Sequence, residues 1–417
     1  MTDSSEARGG VSRRRKLTIA IIVVAIVLVG GGAAAAFWLA PQPKPAAEAA
    51  PTPSPSATPT PTVTPTPPPS EDDAISMIAM GDMLPHDSVN ANALGADGAY
   101  NYAQFFSGIQ SQLDAADVTF CNQEVPSAGV EFGISGYPTF NAPAEFARDL
   151  REGAGCDLVN TATNHTADKG TAGIAATRGV WDGLTPAIVS GANRDAAEQR
   201  AVTVFEEQGV KIALVSFAEY SNAPIDGVSL NMMGDTALVT ELLTEARAAA
   251  DVVIVSAHWG TEDSHEVNDA QRAFAQQVAD LGADVVVGTG PHVLQPVAWL
   301  DRVSGGRTLV WYSIGNMLNT QLELDQRTGV IAGFTLDRDD AGAVQVTKPT
   351  AMLTYMHYDW TAEQEAANDL LARTNLSITP LAGADALLQT TRFGVSAADQ
   401  LAASSAILGP DVTVVAE

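Results

Sequence analysis

Cysteine is nearly absent: Cys121 and Cys156 are the only two in 417 residues. Two are too few for a disulfide framework. A single bond between them is one option, but two free buried thiols are expected, because each lies in an expected strand or its approach. Positive charge is also scarce, with 22 Lys/Arg against 49 Asp/Glu and a net charge of −27. The first 70 residues take six of those cations and three of the acids, so residues 71–417 keep 16 against 46, a net −30. A domain this acidic is a poor nucleic-acid binder and repels polyanions unless bound cations intervene. Histidine is limited to six positions, few enough to weigh singly, and no internal repeat is visible.

One long apolar run stands at the N-terminus. After "SRRRK", Leu17 to Ala40 holds 24 uncharged residues. As a helix at about 1.5 Å per residue it reaches roughly 36 Å, enough for a hydrocarbon core of about 30 Å. Basic residues before the span put the N-terminus in the cytoplasm and the remainder outside. The small residues of "GGGAAAAFWLA" could hold a cleavage site, and "SRRRKL" faintly matches a twin-arginine export signal. The length of the run favours an uncleaved signal-anchor, since secretory cores are about 7 to 15 residues. Residues 41–70 hold 12 of the 23 prolines, mixed with Thr, Ser and Ala. Such a segment builds no core and is expected to run as an extended stalk.

From residue 71 onward, short β-rich runs alternate with helical patterns. "AISMIAM", "DVTFCN", "DLVNTAT", "DVVIVSAHWG", "ADVVVGTG" and "RTLVWYSIGN" read as strands, and "APAEFARDLREG", "DTALVTELLTEARAAA" and "NDAQRAFAQQVADLG" as helices. "RAVTVFEEQGVKIALVSF" reads as a hairpin turning at Gln208-Gly209, and "GVIAGFTLDRDDAGAVQVTKPTAML" as an antiparallel pair. The expected fold is α/β: a β-sandwich of mixed sheets flanked by helices, preceded by one transmembrane helix and a Pro-rich linker. The expected division is a cytoplasmic segment 1–16, an anchor 17–40, an extracellular linker 41–70, the main α/β domain 71–355 and a C-terminal extension 356–417.

The polar motifs fall in one place. Asp82, Asn122 with Glu124, Asn164-His165, His258 and His292 each follow an apolar strand, and in open α/β sheets ligands bind beyond the strands' carboxyl ends. Carboxylate, amide and imidazole groups without thiolate suit Mn, Fe or Zn as one or two divalent ions. Such ions activate water and stabilise an oxyanion. His165 would then serve the leaving oxygen, oriented by Asp168 three residues on. His265 and His86 lie in polar loops, where a solvated ring is the default, and a structural role is expected for His357.

The motifs "GDMLPHDSV", "CNQEVP", "YPTFNAP", "TATNHTADKGTAGI", "SAHWGTEDSHE", "GTGPHVLQPV" and "WYSIGNML" occur in the order and spacing of the capsule-synthesis protein CapA family, also called poly-γ-glutamate synthesis proteins. The chain resembles that family over roughly residues 76–334. The resemblance implies a calcineurin-type metallophosphoesterase fold, with Asp82, Glu124, Asn164, His165, His258 and His292 at the metal site and His86 as an extra ligand. Asn122-Gln123-Glu124 stands where the family commonly has "NLE", and Thr163-Asn164-His165 where it often has "NNH". Many relatives carry another histidine just before the "PH" of "GTGPHVLQPV", where Thr289 and Gly290 stand here. His265 is a candidate to compensate. Two functions follow as expectations. One is a membrane-anchored extracytoplasmic metal-dependent hydrolase that acts on a phosphoester or an anionic surface polymer such as capsular poly-γ-glutamate, with a polymer synthase or export complex as partner. The other is a non-catalytic polymer-binding or assembly module.

Overall fold

The computed structural model describes residues 74–185 and 188–416. The expected cytoplasmic segment, membrane span and Pro-rich linker lie outside them. Among the described residues no helix is long and apolar enough to cross a membrane.

Four parallel strands open the domain: β1 (Ile75–Met83), β2 (Val118–Gln123), β3 (Cys156–Asn160) and β4 (Ile188–Ser190), side by side in that order. A second group follows: β5 (Val204–Glu207), β6 (Val210–Ala218), β7 (Val252–His258), β8 (Val285–Thr289), β9 (Val297–Asp301) and β10 (Arg307–Trp311). They form a separate sheet in the order β5-β6-β7-β8-β10-β9, with β6, β7, β8 and β10 parallel and the outer strands antiparallel. The chain then returns to the first sheet with β11 (Asn316–Leu318), β12 (Thr328–Arg338), β13 (Val344–Asp359), β14 (Thr374–Pro380) and β15 (Thr413–Val415). Because β14 and β15 pair with β13, the boundary expected at residues 355/356 falls inside a strand. The tail continues the first sheet.

The period of two explains the layering. On β1, Ile75, Met77 and Ala79 join the apolar layer between the sheets, while Met80 and Met83 pack outward under helices. On β7, Val252 and Ile254 face the same inner layer, and Val253, Val255 and Ala257 the helices of the other side. Both faces of each sheet are therefore covered, which is why every residue of β2 and β7 is buried. The helix Asp269–Asp280 starts from a capping box made by Asn268 and Gln271, and lays Phe274, Ala275 and Val278 on the second sheet. The result is the expected mixed α/β fold of two sheets flanked by helices.

The cysteine expectation is corrected. Cys121 and Cys156 are joined in a disulfide, with Cα atoms 5.6 Å apart, inside the bonding range of about 4.4–6.8 Å. Membership of a strand argued for burial, and both are fully buried. It did not argue against pairing, because adjacent parallel strands bring the two to diagonal positions, Cys156 opposite Thr119 and Cys121 opposite Val159.

Candidate metal centre

The carboxyl ends of the parallel strands of both sheets deliver the polar residues to one point. Asp82 lies near the end of β1 and Glu124 just past β2; His258 closes β7, and His292 lies three residues past β8. Ligand atoms of Asp82, Glu124 and His292 all lie within 4.8 Å of one another, and all three residues are buried. His258 stands 3.9 Å from both Asp82 and Glu124. Its Nε2 hydrogen-bonds Asn164 Oδ1 at 2.9 Å, and its Nδ1 meets Thr289 Oγ1 at 3.0 Å.

Asp82 is heavily held. Oδ1 accepts from Asn122 Nδ2 at 2.6 Å, and Oδ2 from the Gly290 amide at 3.2 Å and His292 Nδ1 at 3.1 Å. Burial pushes its carboxyl up, but His292, His258 and the Gly290 amide outweigh that and hold it below its ordinary value. Glu124 differs. Neither of its oxygens receives a hydrogen bond, and burial followed by the Asp82 charge pushes its carboxyl well above the usual range. Burial opposes a charge on His292, yet Glu124 and Asp82 prevail and raise it to about 10. His258 is pushed down to about 4, chiefly by burial.

A buried carboxylate with both oxygens orphaned needs an explanation, since an unpaired charge in the interior is costly. A divalent cation facing Glu124, Asp82 and His292 supplies it, and the oxygen and imidazole donors are those such ions take. The residues present fit the group.

Gly290 is confined to glycine by its surroundings. Its φ is 105°, and a Cβ there would stand 2.8 Å from the Trp259 carbonyl. No side chain fits without moving the backbone. His292 is also in the left-handed region, at φ 62°, a conformation costing about 1–3 kcal/mol that persists where surroundings over-determine it. Its Nδ1 is shared by Asp82 and Asn316 Oδ1.

Asn164 and His165 do not end a strand. β3 stops at Asn160, and the next residues form turns tied by Thr163 Oγ1 to the Glu124 carbonyl and by Thr166 Oγ1 to the Thr161 carbonyl. His165 Nδ1 pairs with Asp168 Oδ2 at 2.7 Å, and the same oxygen accepts the Phe140 amide. This fixes the proton on Nδ1 and leaves Nε2 3.5 Å from Asn222 Nδ2. His165, Asp168, Asn222, Glu262 and Tyr137 line a cleft of about 500 Å³.

Two histidines stand apart. His86 accepts the Thr320 amide on Nδ1 and packs edge-on to Phe140, outside the three-residue ligand group. Burial and then His292 push it down to about 3. His265 has both nitrogens engaged, with the Leu294 carbonyl and Asp325, so it does not compensate for Gly290. Asn316, in the quoted "WYSIGNML" motif, was not assigned a role from sequence, nor were Asn222 and Glu262.

Comparison with known proteins agrees with the motifs. Residues 76–321 match the family described as bacterial capsule synthesis protein PGA_cap. The chain is 30% identical over 194 residues to the PGA biosynthesis protein CapA of Bacillus subtilis, covering 46% of this chain and 50% of that one. It is 29% identical over 211 residues to the capsule biosynthesis protein CapA of Bacillus anthracis, covering 49% of each. It thus spans about half the length of the curated relatives it matches. Among solved structures, the NAD nucleotidase of Haemophilus influenzae aligns with a TM-score of 0.39 at 13% identity, over 82% of this chain and 57% of that one. With the family pattern matched over more than half its length, this chain belongs to the bacterial capsule synthesis protein (PGA_cap) family.

Proposed function

We propose that the protein is an extracytoplasmic metal-dependent hydrolase of capsule biosynthesis, phosphoesterase-like in chemistry, anchored by residues 17–40. Its substrate is a phosphoester or a bond in an anionic surface polymer such as poly-γ-glutamate, handled beside a synthase or export complex. The observation that carries this reading is the unpartnered Glu124 carboxylate beside Asp82 and His292, next to a cleft lined by His165 and Asp168. The Cys121–Cys156 bond supports placement outside the cytoplasm, where disulfides persist.

Asp82, Glu124 and His292 would hold the ion, with His258 and Asn164 adjacent. When bound, it supplies the positive charge that lowers the pKa of water and polarises a phosphoryl or carbonyl oxygen. The chain's own residues do the rest. Asp168 keeps the His165 proton on Nδ1, so Nε2 is free to exchange a proton with the departing group. Asn222, beside Nε2, orients that ring from the opposite side. The acidic Glu262 in the cleft makes the approach of an anionic substrate depend on bound cations.

The test is turnover of a model phosphodiester by the full chain loaded with Mn²⁺ or Zn²⁺. Loss of activity with a chelator and in His165→Ala is expected. Turnover indifferent to both would remove the hydrolase reading and leave the alternative, a non-catalytic polymer-binding module.

A further inference from the structure

A second polar centre lies in the C-terminal part of the domain. Arg327 and Arg373, each 4% exposed, are the only buried arginine or lysine side chains among the described residues. Neither pairs with a carboxylate. Arg327 donates from Nε to the Met356 carbonyl and from Nη2 to the Tyr355 hydroxyl. Arg373 donates from Nη1 to the Thr320 carbonyl, and its Nε has no partner. Stacking offsets part of the burial: Arg327 lies 3.8 Å from the Tyr358 ring centre, and Arg373 4.5 Å from that of Trp360. Neutral oxygens and ring faces satisfy hydrogen bonds but leave two positive charges uncompensated, and arginine does not shed its proton.

Arg327 lines a cavity of about 40 Å³ together with Trp360, Thr390 and Arg392. One water centre needs only about 10–15 Å³, so the space suits a small charged head group. The two acids at its wall are already engaged. Asp359 binds His357 and Asn375, and Glu365 binds Arg392. In a domain carrying net −30, a pocket walled by the carboxylate-free guanidinium of buried Arg327, with that of Arg373 stacked on the Tyr358 and Trp360 rings of the same wall, is the reverse of the general charge pattern.

We infer that this cavity is a binding site for a small oxyanion, a carboxylate or phosphate group, held by Arg327, with Arg373 stacked on the Trp360 ring of its wall and Arg392, itself paired with Glu323 and Glu365, at its rim. The loop 319–327 contacts both centres. Thr320 gives its carbonyl to Arg373 and its amide to His86, and Gln321 accepts from Tyr358 through its carbonyl and from Asn316 through its side chain. An anionic group seated here would therefore be held by the loop that also buttresses His292 through Asn316.

Tryptophan fluorescence tests this, because Trp360 lines the cavity. The full-length chain is titrated with acetate and, separately, inorganic phosphate at constant ionic strength, with chelator present so that no response comes from the metal centre. A saturable change with at least one anion is expected, and the anion that produces it assigns the class. Arg327→Gln should weaken the midpoint at least tenfold. Thr390→Glu, an exposed rim change that leaves the core intact, should do the same if the buried variant fails to fold. No saturable response to either anion, or a midpoint unmoved by Thr390→Glu, overturns the site. Either result stands independently of whether the metal centre turns over substrate.

Discussion

The Glu124 carboxylate lies 3.9 Å from His292 Nε2 and receives no hydrogen bond on either oxygen. The pair is close enough for attraction and too far apart for a direct bond, a separation that leaves space for an ion between donors. Removing the charge without changing the shape separates the two consequences. Glu124→Gln should abolish retention of Mn²⁺ or Zn²⁺ by elemental mass spectrometry. In chelator the same variant should melt no lower than the parent, because burial already disfavours the charged form of Glu124 and the amide keeps its shape. A variant that keeps its metal, or melts well below the parent without it, would contradict this account of Glu124.

His165 is expected to act through its Nε2, and Asp168 through His165. Asp168→Asn should lower turnover of the model phosphodiester by about 10²–10⁴-fold and leave metal content unchanged. Its pH-rate profile should also shift, which loss of a merely structural contact would not cause. Equal metal loss in Asp168→Asn would instead place that carboxylate among the ligands.

Metal uptake should release protons. The carboxylates around His292 raise it to about 10, and burial raises Glu124 as well, so both bind protons at neutral pH more readily than in the unfolded chain. Binding a cation requires the unprotonated forms. The sign follows: affinity rises as pH increases toward the His292 value and falls in acid. Calorimetry at pH 7 in buffers of different ionisation heat should show net release of at least about one proton per ion; none would mean the site titrates elsewhere.

The disulfide closes a loop of sequence separation 35, for which the chain-entropy relation gives about 3–4 kcal/mol. Cys156→Ser should lower stability by an amount of that order in urea unfolding. A change below about 1 kcal/mol would mean that the reduced chain already holds β2 and β3 together.

Much of the site was legible because it obeys one local rule. Asp82, Glu124, His258 and His292 each follow an apolar run, and each run became a strand whose end meets the others. Asn164 and His165 were placed correctly near the cluster but on the wrong element, since "DLVNTAT" keeps its β-like composition three residues beyond the strand. The turn there depends on Thr163 and Thr166 hydroxyls bonding backbone carbonyls, which composition does not show. Asn316 was missed because β11 is only three residues long, too short for any period to show. The same holds for β4 and β15. The Cys121–Cys156 bond required knowing that β2 and β3 are neighbours, a fact of topology. The arginine pocket required knowing that Arg327 and Arg373, 46 positions apart in sequence, are both buried against Tyr358.

Asp82 comes from the first sheet and His292 from the loop that follows β8 of the second, and the two side chains meet directly. The two sheets are thus latched at this edge by the protein's own opposite charges. Intrinsic affinities of such donor sets follow a general order among divalent metals rather than selecting one. Which divalent metal would fill such a site is therefore set by supply as much as by the donors.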